Sequence, residues 1–452
     1  MPGFTMPSKT ALTVATFSAL VFLPQVAPAL KNYKSLEPGN IPAVWQFPIP
    51  KKTGLDAGPE MEEIRAARLQ LLAPKNLVDP THEMDRFYEA LRRGGVTRVL
   101  HYGDSPTTGD LITADARALL QKQFGDAGAG FVLIAKPWAW YYHRGVDMDA
   151  SSWKIDVAGA TELKDGLHGL GGASFSGSPG AVARWTLKDG QQRSLDVSYL
   201  AQPEGGSFSV EADGREIGSV DTVAPDHEPA FVSFDPPSGS KVFTLHVTKG
   251  TVRLYGLEFR KRTPGVIYSS LGVNGANITL LSHAFNNTHW AAQLHHYRPD
   301  LVVLAYGTNE SGYSQFVDST WGKELKAAVH RLQTALPGAS ILLMSPMDRG
   351  EKNEAGDIGT IPTLPRLVGI EAGVAAETGV AFFNTFEAMG GRGTMARWYA
   401  AEPRLVGADF IHPMPAGAKI VGELLYNALR DGYNEYKLRK LSPTSGEDGA
   451  LK

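Results

Sequence analysis

A regular alternation of strands and helices constrains the fold of this chain more than any other feature. The segment Leu301–Ala305 is a continuous apolar run, which is typical of a parallel strand buried on both faces. Similar patterns predict strands over Val96–Tyr102, Gly265–Ser270, Ser340–Met344 and Val380–Phe383, and helices over Met84–Arg93, Leu111–Phe124, Ile278–His296, Trp321–Leu336, Leu364–Thr378 and Pro415–Arg430. This alternation predicts an α/β fold with a parallel sheet covered by helices on both faces.

The segment from 140 to 262 departs from this alternation. Its short β-rich runs, separated by Gly, Pro, Asp and Ser, predict strands over Trp153–Val157, Val182–Leu187, Ser194–Leu200, Ser207–Ala212, Phe231–Phe234, Val242–Val247 and Val252–Arg260. Several short strands at this spacing indicate a β-sandwich or jelly roll. Because the α/β pattern continues on both sides, we expect an all-β domain inserted into an α/β domain of residues 76–139 and 263–436.

The N-terminus has the pattern of an export signal. Lys9 precedes an apolar run over Ala11–Leu23, and the small-x-small motif Ala27-Pro28-Ala29 follows it. The run is shorter than the roughly 20 residues that a membrane span needs. A cleaved signal peptide over residues 1–29 is therefore favoured, with a retained anchor as the alternative. We expect an exported protein of the periplasm or cell envelope, with no stable membrane span after cleavage.

Composition excludes several classes of function. The chain has 452 residues, a net charge of −3 and no cysteine. Nearly balanced charge gives no basic surface for nucleic acid, and the lack of cysteine excludes disulfides, metal–thiolate sites and thiol nucleophiles. The length predicts two domains. Residues 30–75 are a poorly patterned lead-in with one short helix over Met61–Leu72, and residues 437–452 are predicted to form a flexible tail.

Four short segments carry residues suited to chemistry, each at the end of a predicted strand or before a helix. Ser105, in Gly-Asp-Ser-Pro, follows a buried strand and lies at the edge of the sheet where such folds place ligands. Gly272 allows close backbone approach to a reacting oxygen, and the Asn309 amide is a hydrogen-bond donor. Asp409 and His412 lie close enough in sequence to act on one loop. Taken singly, each segment is also compatible with a turn, a helix cap or a surface loop.

The order of these segments resembles that of the SGNH/GDSL hydrolases, over the α/β part of the chain. The resemblance implies that Ser105 is a nucleophile and that His412 is its general base, oriented by Asp409. It further implies an oxyanion hole made by the Ser105 N–H, the Gly272 N–H and the Asn309 side chain. Neither a cofactor nor a metal ion is implied.

Four longer motifs carry a finer resemblance: Tyr102–Asp110 (YGDSPTTGD), Phe124–Phe131 (FGDAGAGF), Gly272–Ala276 (GVNGA) and Gly307–Glu310 (GTNE). They resemble those of bacterial peptidoglycan O-acetylesterases and related envelope O-acetyl enzymes, which commonly carry a β-rich insertion at this place. Pro106 departs from the pattern, because members of that group usually have His there.

The resemblance implies a serine esterase that removes O-acetyl groups from a cell-envelope glycan, with peptidoglycan first, through an acetyl-Ser105 intermediate. An O-acetyltransferase with the same residues, in which a glycan hydroxyl replaces water, is the nearest alternative. A non-catalytic glycan-binding protein is the alternative from another class. In each case the expected partner is a glycan, acetylated in the enzymatic cases.

Two further features lie near the predicted site. Trp138, Trp140, Tyr141 and Tyr142 form an aromatic cluster that either stacks on sugar rings or, as is commoner for such clusters, packs in the interior. Glu310 borders the site and is interpreted as a solvated or structural residue.

Overall fold

A six-stranded sheet forms the frame of one domain in the computed structural model, which describes residues 75–441 except 161, 162 and 164. The predicted signal peptide, nearly all of the lead-in with its helix over Met61–Leu72, and residues 442–452 lie outside the described residues. In chain order the strands are β1 Leu77–Val78, β2 Val96–Gly103, β3 Gly130–Val132, β4 Val146–Val157, β5 Ala173–Leu187, β6 Ser194–Ala201, β7 Ser207–Ala212, β8 Arg215–Asp221, β9 Glu228–Phe234, β10 Val242–Lys249, β11 Val252–Arg260, β12 Gly265–Gly272, β13 Leu301–Ala305, β14 Ser340–Met344, β15 Gly350–Lys352, β16 Ile358–Thr360 and β17 Ala381–Phe383.

The helices cover the six-stranded sheet and carry most of the connections. They are α1 Asp85–Arg93, α2 Ser105–Thr108, α3 Ile112–Phe124, α4 Asn287–Tyr297, α5 Ser314–Phe316, α6 Gly322–Ala335, α7 Thr363–Thr378, α8 Thr385–Ala388, α9 Thr394–Ala400 and α10 Pro415–Leu441, with shorter π or 3-10 turns over Leu280–Ala284, Glu310–Gly312 and Val317–Trp321. Within the part of the chain that the structure describes, no helix combines the length and apolar character needed to cross a bilayer.

The strand order β1-β17-β14-β13-β2-β12 places the most apolar strand, β13, inside the sheet. The neighbouring strands are parallel except for β1, which runs antiparallel to β17. Because β13 is flanked by strands and covered on both faces, Leu301–Leu304 are all buried. The parallel α/β sheet predicted from the alternation is confirmed.

Alternate residues of β13 point into two separate apolar clusters, as the two-residue period of a strand requires. Leu301 and Val303 pack with residues of α1, α3 and α10. Val302 and Leu304 pack in a larger cluster with residues of α4, α6, α7 and the β-rich segment. The inserted segment therefore shares a continuous core with the parallel sheet.

The β-rich segment forms a 9-stranded antiparallel sheet in the described residues, with the order β8-β7-β10-β5-β11-β6-β9 and with β3 on β11 and β4 on β5. One end of β5 pairs with β11 through Phe175–Gly177, and the other pairs with β10 through Val182–Thr186. This sharing of β5 lets the sheet curl toward closure around buried Trp185 and Phe243. The predicted all-β insertion is confirmed, as a nearly closed barrel or sandwich.

Some boundaries differ from those predicted. Strand β3 lies before residue 140, because Phe131 and Val132 are buried and pair with β11. Strand β8 was not predicted, since its residues are largely polar and exposed, and it exists through its pairing with β7. Helix α10 ends at Leu441, so residues 437–441 belong to a helix rather than to the predicted flexible tail.

The prediction of one helix over Ile278–His296 is wrong, because the structure interrupts it. A π turn ends at Ala284, Phe285 has extended backbone geometry, and α4 starts after Asn286. The Asn286 side chain accepts a hydrogen bond from the His289 N–H at 3.0 Å. An asparagine in this position satisfies a free backbone donor of the first turn, and it therefore starts a new helix.

A buried ion pair joins the segment after β2 to helix α3. The Arg117 guanidinium donates to both carboxylate oxygens of Asp110, at 3.0 and 2.5 Å. Thr113 Oγ1 and the Arg144 N–H also donate to this carboxylate, at 2.6 and 2.8 Å. Burial raises the pKa of Asp110, but the Arg117 charge and these hydrogen bonds outweigh it, so the net pKa lies below its ordinary value.

We expect Arg117→Ala to lower the free energy of unfolding by about 3–5 kcal/mol, because it leaves the Asp110 charge buried without its partner. Lys326→Ala, which removes an exposed ion pair with Glu377, is the matched control and should leave stability nearly unchanged. Urea denaturation followed by circular dichroism measures both. An Arg117→Ala midpoint equal to that of the control would contradict the structural role of the buried pair.

Candidate active site

Three parallel strands end at the same level of the sheet. Gly103, the last residue of β2, is in register with Gly272 of β12 on one side and with Ala305 of β13 on the other. The loop after each strand carries one of the predicted motifs. Strand pairing therefore brings these motifs together at the carboxyl edge of the sheet, where open α/β folds bind ligands.

A continuous chain of hydrogen bonds links Ser105, His412 and Asp409. Ser105 Oγ lies 2.8 Å from His412 Nε2, and His412 Nδ1 lies 2.6 Å from Asp409 Oδ2. When Nδ1 carries the proton and donates it to Asp409, Nε2 has a free lone pair that accepts the Ser105 hydroxyl. The structure thus brings Ser105 together with Asp409 and His412, which the sequence places in a distant segment.

The loop before α10 fixes the positions of Asp409 and His412. Asp409 Oδ1 accepts from the backbone N–H groups of Ile411 and His412, both at 3.1 Å. The Gly407 N–H donates to the His412 carbonyl at 2.8 Å and closes the loop. Phe410 has φ +57°, a left-handed conformation that turns the chain between Asp409 and His412. The Asp-x-x-His spacing therefore works through a tight turn.

The electrostatics of Asp409 favour its charged form. Partial burial raises the pKa of this carboxyl, but the hydrogen bonds from His412 and from the Ile411 N–H outweigh burial. The net pKa lies below the ordinary value for aspartate. Asp409 is therefore a carboxylate at neutral pH and stabilises a positive charge on the neighbouring imidazole.

The turn after β2 offers one backbone donor close to Ser105 Oγ. The N–H groups of Thr107 and Thr108 both donate to the Asp104 carbonyl, at 3.1 and 3.2 Å. Pro106 has no N–H to donate. The Ser105 N–H, at the first helical position, has no acceptor within the helix.

Gly272 and Asn309 lie in the two flanking loops. A Cβ at Gly272 would come within 2.4 Å of the Thr108 backbone nitrogen, so only glycine fits beside α2. Asn309 Nδ2 donates one hydrogen to the Ala276 carbonyl at 2.7 Å. That bond orients the amide group and leaves its second N–H for another acceptor.

Glu310 links these same two loops. Its side chain is buried, with the residue only 2% exposed. Glu310 Oε1 accepts from the Ile278 N–H at 2.7 Å, and Oε2 accepts from the Gly307 N–H at 3.1 Å. Of the two interpretations drawn from the sequence, the solvated one is wrong and the structural one is confirmed. The sequence holds no local signal for this bridge, which depends on tertiary contacts.

Three buried carboxyl groups lie beneath the site. Burial, with a contribution from the Glu310 charge, raises the pKa of Asp104 to about 8. Burial raises the pKa of Glu310 to about 7. Burial and the Glu310 charge also raise the pKa of Glu371 well above its ordinary value. These groups therefore hold protons at pH values where exposed carboxyls have lost them.

A cavity of about 510 Å³ opens beside Ser105. Of its lining residues, only Ser105 and His412 were assigned catalytic or oxyanion roles from sequence. The lining residues are Ser105, Pro106, Gly109, Leu111, Trp140, Tyr142, Asn274, His412 and Pro413. Among the described residues, no group of three or more His, Asp or Glu side chains is arranged to hold a metal ion.

Comparison with known proteins gives one family match. Residues 247–420 match the model of the GDSL-like Lipase/Acylhydrolase family. This range contains Gly272, Asn309, Asp409 and His412, and it excludes Ser105. A search of curated proteins found no match.

Three solved structures resemble this chain, and the first of them shares its fold. A structure described as a peptidoglycan O-acetylesterase in action has 23% sequence identity and a TM-score of 0.68, covering 80% of this chain and 99% of its own. A Bacillus subtilis protein has 13% identity and a TM-score of 0.31, covering 64% of this chain and 90% of its own. A two-domain esterase active on acetylated mannans has 9% identity and a TM-score of 0.38, covering 79% of this chain and 55% of its own.

The raised pKa values predict that stability falls as pH rises. Asp104 and Glu310 have folded-state pKa values of about 8 and 7, above those of carboxyls in an unfolded chain. At pH values between the unfolded-state and folded-state pKa values, the folded protein binds more protons than the unfolded chain does. Its stability is therefore greatest below the unfolded-state pKa values and declines as pH rises through about 7–8. Asp104→Asn should make this decline shallower.

Thermal unfolding midpoints measured from about pH 5 to pH 9 check this dependence. Asp235→Asn, which removes an exposed carboxylate of the β-rich domain, is the control and should keep the slope of the wild-type protein. A wild-type slope in Asp104→Asn would contradict the assignment of this dependence to Asp104.

Proposed function

The α/β domain of this chain belongs to the GDSL-like lipase/acylhydrolase (SGNH) family, and we propose that it uses Ser105 to remove O-acetyl groups from a cell-envelope glycan. The observation that carries the proposal is the unbroken hydrogen-bonded chain from Ser105 Oγ through His412 to Asp409. Such a chain activates a serine hydroxyl for attack on an ester carbonyl. In this proposal no cofactor takes part.

Acylation begins with attack of Ser105 Oγ on the acetyl carbonyl carbon. His412 Nε2 takes the hydroxyl proton as the carbon–oxygen bond forms, and Asp409 stabilises the resulting imidazolium. Collapse of the tetrahedral intermediate breaks the ester bond. The sugar oxygen leaves with the proton from His412, and acetyl-Ser105 remains.

The negative oxygen of the tetrahedral intermediate would bind to the Ser105 N–H, the Gly272 N–H and the free N–H of Asn309. Each donor of this type contributes about 10²–10³ in turnover, because the oxyanion forms only after attack. The bridge made by Glu310 between the loops of Gly272 and Asn309 supports this assignment, since it holds the proposed donors in fixed positions.

Deacylation repeats the chemistry with water. His412 removes a proton from a water molecule, whose oxygen attacks acetyl-Ser105, and the proton then passes to Ser105 Oγ as acetate leaves. The side chains of both His412 and Asp409 are 48% exposed, so bulk water reaches the base. That exposure favours hydrolysis over transfer.

Peptidoglycan is the first glycan to test. The chain covers nearly all of a structurally similar peptidoglycan O-acetylesterase, which supports this choice of substrate at the level of fold. The export-signal pattern at the N-terminus supports a location in the periplasm or cell envelope, where such a glycan is found. Fractionation of the producing cells, with detection of the mature N-terminus, tests the location.

The alternatives have distinct outcomes. An O-acetyltransferase would transfer acetate from acetyl-Ser105 to a glycan hydroxyl, so adding unacetylated glycan would divert acetyl groups from acetate into acetylated product. A non-catalytic glycan-binding protein would leave a serine-reactive phosphonate unattached. We expect added glycan to leave the rate of acetate release unchanged and, in a separate reaction, the phosphonate to become attached to Ser105.

We expect Ser105→Ala to abolish acetate release from O-acetylated peptidoglycan, because no other group supplies the attacking oxygen. The fold should be retained, since a hydroxyl at this partly exposed position contributes little packing. Acetate measurement and circular dichroism of the purified variant check both. Ser319→Ala, at an exposed hydroxyl of the π turn before α6, is the control. Acetate release by folded Ser105→Ala at the control rate would overturn the proposal.

We expect Asn309→Ala to lower kcat by about 10²–10³ while changing KM much less, because the amide would bind the oxyanion and not the ground-state ester. Asn277→Ala, in the neighbouring loop, separates loss of an oxyanion donor from loosening of the loop. Steady-state kinetics on one soluble acetate ester measure both. Equal losses in the two variants would remove Asn309 from the oxyanion hole.

A further inference from the structure

Two aromatic side chains beside Ser105 remain exposed although their neighbours in sequence are packed. Trp140 is 56% exposed and Tyr142 is 39% exposed, and both line the cavity next to Ser105. By contrast, Tyr141 is buried, and its ring contacts that of half-buried Trp138 edge to face at 6.4 Å. Packing in the interior therefore explains Trp138 and Tyr141, but it does not explain the exposed rings of Trp140 and Tyr142.

The loop that carries the two exposed rings is anchored from behind. The Leu133 N–H donates to the Tyr141 hydroxyl at 3.1 Å, which fixes the residue between the two rings. The Asp110 carboxylate, already held by its buried ion pair, accepts from the Arg144 N–H at 2.8 Å. The exposed positions of Trp140 and Tyr142 thus belong to a loop whose conformation is set by buried contacts.

The cavity is larger than an acetyl group requires. An acetyl group has three heavy atoms, whereas cavities of about 300–1,000 Å³ hold ligands of drug size. The cavity beside Ser105 measures about 510 Å³, so most of it is available to the other side of the ester. That side is the alcohol portion of the substrate.

The chemistry of the lining indicates a neutral ligand with one apolar face. No Lys, Arg, Asp or Glu lines this cavity among the described residues, and the apolar contacts come from Leu111, Trp140 and Tyr142. Asn274 is exposed at the same cavity and supplies a polar amide. A sugar ring in the pyranose form has an apolar face of C–H groups and a rim of hydroxyls, which matches this distribution.

We propose that Trp140 and Tyr142 form a subsite for a neutral pyranose ring on the alcohol side of the scissile ester, which rests on the proposed function. The C–H face of the sugar stacks on the rings, and its hydroxyl rim faces solvent and Asn274. A long acyl chain is apolar on all sides. If it packed on these half-exposed rings, its other side would remain in contact with water. The arrangement therefore favours a sugar over a long acyl group.

The experiment compares two soluble probes that share the acetyl group. One set consists of methyl mono-O-acetyl glucopyranosides, and the other probe is ethyl acetate, which has no ring. Trp140→Ala should raise KM for the pyranosides by about three- to tenfold, the range expected for loss of one aromatic contact. The kcat/KM for ethyl acetate should stay within about twofold of wild type, because attack by Ser105 is untouched.

Three further variants sharpen the comparison. Trp140→Phe keeps an aromatic face and should recover most of the affinity for the pyranosides, and Tyr142→Ala should act in the same direction as Trp140→Ala. Val223→Ala truncates an exposed apolar side chain of the β-rich domain away from the cavity and should change neither probe. Because all three positions are exposed, the variants are expected to fold, and circular dichroism checks this.

The remaining outcomes overturn the subsite in different ways. Equal loss on both probes in Trp140→Ala would mean that the ring shapes the catalytic residues. A loss that grows along ethyl acetate, butyrate and hexanoate, with the pyranosides spared, would mean that the cavity holds the acyl chain. If the wild-type enzyme hydrolysed ethyl acetate but none of the acetylated pyranosides, the proposal of a glycan substrate would be wrong, whereas the role of Ser105 as nucleophile would stand. That last result separates failure of the proposed function from failure of the subsite.

Discussion

The backbone pairing that holds Gly103 between Gly272 and Ala305 is the constraint on which the site depends. This pairing places the ends of β2, β12 and β13 at the same height in the sheet. Three loops that are far apart in sequence therefore begin at one edge of the sheet. Glycine is required at two of these positions. A Cβ at Gly103 would lie 2.2 Å from Thr107 Oγ1, and one at Gly272 would lie 2.4 Å from the Thr108 nitrogen. Close approach of α2 to both strands, and hence the position of Ser105, follows from the missing side chains.

The buried acids show how the site is stabilised at a cost to the fold. Glu310 joins two loops because each of its carboxylate oxygens accepts a hydrogen bond from a backbone N–H group. A protonated carboxyl group or an amide in this position would satisfy these two N–H groups only in part. Burial, with a contribution from the Glu310 charge, raises the pKa of Asp104 and of Glu371, and these raised pKa values lower stability at higher pH. An apolar residue in place of Glu310 would not bridge these loops. The cost is therefore tied to the geometry beside Ser105.

Sequence patterns predicted the elements whose signals are local. The continuous apolar run of β13 and the order of the motifs were enough to predict the parallel sheet and to select Ser105, Asp409 and His412 for one edge of it. Strand β8 escaped prediction because its polar residues have no alternation and pair at an edge of the sheet. The burial of Glu310 and the exposure of Trp140 also escaped, since both depend on contacts between segments far apart in sequence.

The exposure of the triad and the openness of the cavity together bear on the choice between hydrolysis and transfer. An acyl-enzyme that bulk water reaches is hydrolysed unless an acceptor hydroxyl is held close to the ester carbon for longer than water takes to attack. Positioning of that kind has effective molarities of up to about 10⁵–10⁸ M when geometry is exact, so one well-placed sugar outcompetes water. The subsite proposed at Trp140 and Tyr142 would lie on the side of the departing alcohol, which is also where an acceptor would enter. Esterase and transferase activities therefore differ in how long this subsite retains a sugar after the first ester bond breaks. In the proposed subsite a sugar stacks on Trp140 and Tyr142 through one face only, and no Lys, Arg, Asp or Glu lines this cavity among the described residues. We therefore propose that the sugar is retained only weakly and that water completes the reaction.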